Sequence, residues 1–119
     1  KQLITKSSSQ LDLKMSWNQV KLANQSKLLT IGGHSHTHVI LSFLNQKELK
    51  HELDVSINML HDKAGVSPTH YSYPEGLANC YNKEVINELK TRGVKCCPTA
   101  IFGVNNEKTS SFELKRIMI

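Results

Sequence analysis

Ile31-Gly32-Gly33-His34-Ser35-His36-Thr37-His38 is the stretch that says most about the fold and the chemistry of this chain. It continues the apolar run Leu28–Ile31, which predicts a short buried strand that ends at the two glycines. Three histidines then occupy alternating positions, and imidazole is a common ligand of zinc and related transition metals. The stretch therefore predicts a metal-binding or catalytic loop at the end of a strand.

The spacing alone does not decide which histidines act together. His34 and His38 converge if the backbone turns helically, whereas His34 and His36 converge if the backbone stays extended. A catalytic metal typically takes three protein ligands and leaves one position for water or substrate. Two histidines therefore supply only part of such a site.

A second candidate segment, Tyr71-Ser72-Tyr73-Pro74-Glu75-Gly76, ends a strand predicted at 69–73. Pro74 fixes its own φ and Gly76 permits an unusual backbone angle, so the segment predicts a rigid turn. Such a turn can offer backbone N–H groups to a ligand, as an oxyanion hole does, although most turns of this kind only shape a loop. If the two strands share a parallel sheet, both segments lie on the same rim, where function usually sits.

The rest of the chain alternates helices with short extended segments. Capping boxes predict helices that begin after Ser16 and Asn45, and Asn82 is the predicted N-cap of a third helix. Gly65 is the predicted stop of the second helix, and Trp17 is a predicted core residue. Later extended segments are predicted at 94–97, 99–102 and 114–119. This order indicates one α/β domain over residues 1–119, with a mainly parallel sheet and flanking helices.

The composition fits a packed domain or part of one. The 119 residues carry a formal charge of +5, and 39% of them are hydrophobic. The lysines are scattered and only two arginines are present, so a solvated basic surface is a better interpretation than a nucleic-acid site. No apolar stretch approaches the roughly 20 residues of a membrane span, and three cysteines argue against a disulfide framework. No signal-peptide pattern is visible, but the chain starts at Lys1 rather than Met, so this says little about its location.

The histidine loop 34–38 resembles the H-(S/T)-x-x-H metal motif of polysaccharide deacetylases with the NodB-homology domain. The segment 71–76 resembles the F-x-Y-P-x-G version of the family's third motif. Met15-Ser16-Trp17-Asn18-Gln19-Val20 is similar to the "MTWEQ" entry of the preceding helix. Gly93-Val94 followed by Leu114-Lys115-Arg116-Ile117 is similar to the "G-Y…L-P-R-I" ending. These matches occur in family order from about residue 15 to the end of the chain.

The resemblance implies a distorted (β/α) barrel, of which the 119 residues would form a partial, open fragment. It implies hydrolysis of N-acetyl, or occasionally O-acetyl, groups on a carbohydrate substrate. A divalent metal, commonly zinc, would be held by one Asp and two His. His34 and His38 take the two histidine positions, and His36 falls on a variable position.

The third motif implies further roles. The backbone N–H of Glu75 would stabilise the oxyanion, and Tyr73 and Pro74 would contact the substrate. Longer family members carry an arginine in this motif, and Ser72 stands in its place. Arg116 could supply a guanidinium instead, with a solvent-exposed or carboxylate-paired Arg116 as the open alternative.

Two motifs of the family are absent from this chain. T-F-D-D-G would supply the general base and the aspartate ligand, and L-x-x-H would supply the general acid. The aspartates present are Asp12, Asp54 and Asp62, and none fits the missing positions. We therefore expect the 119 residues alone to bind metal poorly, to associate through open sheet edges and to release no acetate. Two alternatives remain open: a degenerate, non-catalytic metal- or carbohydrate-binding module, and a small basic nucleic-acid-binding domain.

Overall fold

The computed structural model describes residues 13–117. It contains α1 (Trp17–Gln25), a short 3₁₀ helix (Leu41–Phe43), α2 (Gln46–Ala64), α3 (Lys83–Thr91), β1 (Pro98–Phe102) and β2 (Leu114–Arg116). No helix in this part of the chain is long and apolar enough to cross a membrane. Asp12 and the last two positions of the strand predicted at 114–119 lie outside the described residues.

The first two helices begin where the sequence predicts them, because local hydrogen bonds fix their first turns. Ser16 and Gln19 form a complete capping box at the start of α1. Asn45 and Glu48 form a second one at the start of α2. α2 ends at Gly65, whose φ of +69° lies in the left-handed region that glycine adopts without strain.

α3 begins at its predicted cap, Asn82, and its other end is tied to α2 by charge. Arg92 Nε donates a hydrogen bond of 2.7 Å to Asp54 on α2. Arg92 Nη1 donates a hydrogen bond of 2.6 Å to the carboxylate of Glu88, one turn earlier on α3. This arrangement fixes α3 against α2 and gives Asp54 a structural partner.

One hydrophobic core lies between α2, α3 and the extended segments. Its buried members are Leu41, Leu49, Leu53, Tyr71, Tyr73, Val85, Leu89, Val94, Cys97 and Phe112. The apolar stripe of α2 packs into this core, and its Leu49 and Leu53 are 2% and 0% exposed. Glu52 and Ser56 lie on the same side of α2 as this stripe and are 8% and 6% exposed, so burial of the stripe also places them next to the candidate site.

The extended segments form a parallel array, as predicted. β1 pairs with β2 in parallel. Two isolated parallel bridges join Gly33 to Tyr71 and His70 to Cys96. The array therefore runs from the segment at Gly33, through the segment at 70–71, to the segment 96–102 and then to β2. The prediction of an α/β fold with a mainly parallel sheet is confirmed.

Three local predictions were wrong or too generous. The run Leu28–Ile31 is not a strand, and Leu28 is 88% exposed. The segment 69–73 contributes single bridges at His70 and Tyr71 rather than a full strand. Trp17, predicted to be in the core, is 39% exposed. An apolar run becomes a buried strand only where a neighbouring segment covers it, and the sequence pattern cannot show whether that neighbour is present.

The pairing of Gly33 with Tyr71 depends on the missing side chain of glycine. A Cβ atom built on Gly33 would lie 2.3 Å from Tyr71 Cε2, far inside van der Waals contact. The tyrosine ring therefore packs directly on the backbone of Gly33. This close approach joins the two candidate segments that the sequence analysis singled out.

We expect Gly33→Ala to lower the free energy of unfolding by about 3 kcal/mol, because the new Cβ would displace the buried ring of Tyr71. Gly65→Ala is the matched control, since nothing lies within 4 Å of a Cβ there and only the positive φ opposes the change. That control should cost about 1 kcal/mol. Chemical denaturation measures both variants, and equal losses would contradict crowding at Gly33.

Candidate functional site

The two candidate segments meet at one edge of the parallel array. Gly33 N donates a hydrogen bond of 3.0 Å to His70 O, and Ser72 N donates one of 2.9 Å to Gly33 O. These two bonds place the histidine loop 34–38 directly beside the turn 71–76. The prediction that both segments share one rim holds in the structure.

His34 and His38 are brought together in this loop. Their ring centroids lie 4.9 Å apart, and the rings are inclined at 67°. Left-handed φ angles of +59° at Ser35 and +60° at His38 accompany the turn of the backbone between them. Within residues 13–117, no group of three or more His, Cys, Asp or Glu side chains is placed to hold a metal ion. The metal role of the pair therefore stays a prediction.

Ser72 orients the ring of His34. His34 Nδ1 lies 2.9 Å from the carbonyl oxygen of Ser72 and 2.8 Å from its Oγ. A hydrogen bond to the carbonyl oxygen requires a proton on Nδ1, and in that neutral tautomer the lone pair lies on Nε2. Sequence reasoning noted Ser72 only as a departure from the family motif, and missed this contact.

Glu52 of α2 anchors the middle of the histidine loop. Its Oε1 accepts hydrogen bonds from His36 N at 2.8 Å, Thr37 N at 2.6 Å and Thr37 Oγ1 at 2.9 Å. The residue is 8% exposed. Burial by itself raises the pKa of Glu52, but the hydrogen bonds from Thr37 and His36 outweigh it, so the pKa lies below its ordinary value. Sequence reasoning missed Glu52; the available signal was an acidic residue directly beside Leu53 on the buried stripe.

Tyr71 binds Ser35, the second residue of the loop, through its hydroxyl group. Ser35 N donates a hydrogen bond of 2.7 Å to Tyr71 Oη, and Ser56 Oγ lies 3.0 Å from the same oxygen. Burial raises the pKa of Tyr71, so the hydroxyl keeps its proton as a donor. Ser35 Oγ in turn accepts a hydrogen bond of 2.9 Å from His38 N.

The turn at 74–76 is tight and is fixed to β1. Gly76 N donates a hydrogen bond of 2.7 Å to Pro74 O, and Glu75 between them has a φ of +60°. Gly76 O accepts a hydrogen bond of 2.8 Å from Ala100 N in β1. Glu75 itself is exposed. The rigid turn that Pro74 and Gly76 predict is present, while the oxyanion role of Glu75 stays a prediction.

Tyr73 faces the core rather than the rim. It is 2% exposed, its hydroxyl donates a hydrogen bond of 2.9 Å to Phe112 O, and its ring stacks on Tyr81 at 4.4 Å. Burial raises the pKa of Tyr73 well above its ordinary value. Pro74 is also buried. In this structure both side chains are buried under the turn. The substrate contacts of Tyr73 and Pro74 stay a prediction.

The remaining candidates lie on exposed positions. Arg116 is exposed on β2, and within residues 13–117 its guanidinium has no hydrogen-bond or ion-pair partner. Asp62 pairs with the neighbouring His61, and Asp54 pairs with Arg92. The expectation that neither aspartate takes the missing ligand position stays a prediction.

His34 stands between two clefts. One, of about 410 Å³, is lined by Thr30, Gly32, Gly33, His34, His70, Tyr71, Ser72, Cys96, Pro98 and Leu114. The other, of about 320 Å³, is lined by Trp17, Gly32, His34, Ser35, His36, Ser56, Met59 and Leu60. His70 is exposed and lines the first cleft. The exposed ring of Trp17 lines the second, so the clefts give a ligand access to His34 from two sides.

Comparison with known proteins identifies the family. The family model for polysaccharide deacetylases matches residues 3–97, which is most of the chain. The chain belongs to the polysaccharide deacetylase family. No curated protein sequence matches this family member significantly.

Solved structures of deacetylases share the fold of this chain. The Streptococcus pyogenes deacetylase PplD in complex with acetate has a TM-score of 0.78 at 18% identity, with 91% of this chain and 46% of that chain covered. The BpsB deacetylase domain of Bordetella bronchiseptica gives 0.73 at 18% identity, with 86% and 48% covered. A polysaccharide deacetylase from Bacillus cereus gives 0.70 at 21% identity, with 91% and 33% covered. The chain thus spans between a third and a half of these structures, and its fold corresponds to part of a deacetylase (β/α)-barrel domain.

Glu52 should make the stability of this chain sensitive to acid. Because the pKa of Glu52 is lowered on folding, its contribution to stability is complete above the unfolded value near 4.5 and is lost as the pH falls through the folded value. Glu52→Gln should be less stable than the original chain by about 1–3 kcal/mol at pH 7. The difference should shrink towards pH 3. Urea unfolding at both pH values measures it, with the exposed Glu84→Gln as control, and a constant difference would contradict the lowered pKa.

Proposed function

We propose that the complete protein hydrolyses acetyl groups on a polysaccharide in a metal-dependent reaction. The observation that carries this proposal is the convergence of His34 and His38, with His34 oriented by Ser72, in a member of the polysaccharide deacetylase family. The similar structure from Streptococcus pyogenes is of a deacetylase in complex with acetate. Acetate is the product that such a hydrolysis releases, which supports the same reaction class here.

The two histidines fit two of the three ligand positions of a catalytic zinc site. Imidazole nitrogen is a usual zinc ligand, and a ligating histidine usually donates its other N–H to a carbonyl or carboxylate oxygen. His34 Nδ1 does so towards Ser72 O, which leaves Nε2 for a metal. The third ligand is not among residues 13–117. When bound, the metal would supply Lewis-acid polarisation of the acetyl carbonyl.

The proposal assigns Glu75 a role through its backbone N–H. Within residues 13–117, the N–H of Glu75 is not hydrogen-bonded to an acceptor. The tight turn fixes this N–H by the bonds on either side of it, from Gly76 N to Pro74 O and from Ala100 N to Gly76 O. A fixed, unpaired donor can stabilise negative charge on the oxygen of the attacked carbonyl without reorganisation. We propose this role for Glu75 in the complete enzyme.

We expect His34→Ala and His38→Ala to lose zinc in the complete protein. Loss of a direct ligand should cost more than the 10- to 100-fold typical of an outer partner, so the affinity should fall by about 100-fold or more. His36→Ala is the matched control from the same loop and should keep its affinity. Isothermal titration with Zn²⁺ measures all three variants.

One result would contradict the choice of histidine ligands, and another would contradict the proposed reaction. A His36→Ala variant that loses zinc while His38→Ala keeps it would mean that the other pairing of histidines is used. Zinc bound without release of acetate from acetylated oligosaccharides would indicate the non-catalytic metal-binding module instead.

We expect the carboxylate of Glu75 to be dispensable. Glu75→Gln keeps the backbone N–H, and Glu75→Gly keeps it as well while suiting the φ of +60°. Turnover of an acetylated oligosaccharide by either variant of the complete enzyme should stay within a few fold of the original. A loss of several orders of magnitude in both would assign the chemistry to the side chain.

A further inference from the structure

We infer that α2 sets the geometry of the histidine loop, and that Glu52 and the hydroxyl of Tyr71 are positioning residues for His34 and His38. This inference deepens the proposed function and rests on it for the metal role of the two histidines. Tyr71 and Glu52 are 1% and 8% exposed, and their polar atoms are hydrogen-bonded to the loop. Their effect is on the shape of the backbone that carries the ligands.

The backbone N–H groups of the loop are held by side chains. Ser35 N donates to Tyr71 Oη, both His36 N and Thr37 N donate to Glu52 Oε1, and His38 N donates to Ser35 Oγ. Four consecutive N–H groups thus find side-chain oxygens instead of a helix or sheet ladder. The conformation of the loop is therefore decided by where those oxygens lie.

The loop needs this support because its backbone is strained at both ends. Ser35 and His38 have φ angles of +59° and +60°, a region that non-glycine residues seldom adopt. Such angles persist only where surrounding contacts fix them. Ser35 directly follows His34, and His38 is itself the second proposed ligand, so the two strained positions are the ones that aim the imidazoles.

Glu52 and Ser56 lie on the same face of α2; Glu52 contacts the loop directly, whereas Ser56 contacts Tyr71. They are four residues apart, hence one helical turn, and are 8% and 6% exposed. Ser56 Oγ donates to Leu53 O, so the hydroxyl of Tyr71 is the donor to Ser56 Oγ. The lone pair of Tyr71 Oη is then left for Ser35 N–H. Every polar group in this chain of bonds has a partner, which gives the network one preferred arrangement.

The two anchors act on different ends of the loop. Tyr71 binds at Ser35, next to His34, whereas Glu52 binds at His36 and Thr37, next to His38. Removing one anchor should therefore loosen one part of the loop before the other. That difference separates a positioning role from a general loss of stability.

The first test compares Tyr71→Phe with Tyr73→Phe in the 119-residue chain. Both changes remove one hydroxyl from a buried tyrosine, but Tyr73 bonds to Phe112 O and not to the loop. Amide hydrogen exchange by NMR should quicken about 10-fold or more at Ser35 in Tyr71→Phe and stay unchanged there in Tyr73→Phe. A Zn²⁺ titration of the complete protein, followed through the ring signals of His34 and His38, should show an affinity lowered about 10-fold in Tyr71→Phe alone.

The second test compares Glu52→Gln with Asp54→Asn, which changes the same charge on the same helix. Asp54 pairs with Arg92 and does not contact the loop. Exchange should quicken at His36 and Thr37 in Glu52→Gln and not in Asp54→Asn.

If Tyr71→Phe does not fold, Ser56→Ala replaces it in the first test. This variant removes the acceptor of the Tyr71 hydroxyl, and amide exchange at Ser35 is measured in the same way.

The possible outcomes separate this inference from the proposed function. If folded Tyr71→Phe and Glu52→Gln leave exchange in the loop no faster than their controls do, the positioning inference is overturned. If exchange changes as expected but the original chain and the complete protein bind no zinc, the proposed metal role fails while the control of loop geometry by α2 stands.

Discussion

The contact between Gly33 and Tyr71 is the one on which both the sheet and the site depend. The ring of Tyr71 occupies the space that any side chain at position 33 would need. The parallel bridge at this point brings the histidine loop against the segment 71–76. The hydroxyl of the same tyrosine then reaches Ser35. Tyr71 therefore packs against the first segment of the sheet through its ring and fixes the loop through its hydroxyl oxygen.

The sequence could predict features whose causes lie within a few residues. The capping boxes at Ser16 and Asn45 and the stop at Gly65 depend on neighbours up to four positions away, and all three are present. The class of fold also followed from the order of elements. The run Leu28–Ile31 could not be judged in this way, since a strand requires a partner segment that the pattern does not name.

The site was partly predictable for the same reason. Gly-Gly followed by three histidines pointed to the loop, and spacing narrowed the choice to two pairs of rings. Glu52 and Tyr71 reach the loop across 16 and 36 positions of sequence, so only the folded backbone shows that they meet it. An acidic residue on a helix is usually solvated. The neighbouring Leu53 indicates that Glu52 lies near the core, but it does not indicate that three donors surround the carboxylate oxygen.

The buried carboxylate explains why the loop and α2 form one unit. A charge that is 8% exposed is costly unless its lone pairs are used, and the loop donates three hydrogen bonds to Glu52 Oε1. The loop, for its part, has N–H groups that need acceptors and strained φ angles that need fixing. The carboxylate of Glu52 and the N–H groups of the loop satisfy each other. Loss of part of this network would leave both a charge and several donors unpaired. Burial of the apolar stripe of α2 in the core offsets the conformational entropy that the histidine loop loses when the chain folds. A ligand that binds His34 and His38 therefore finds the two rings already close together.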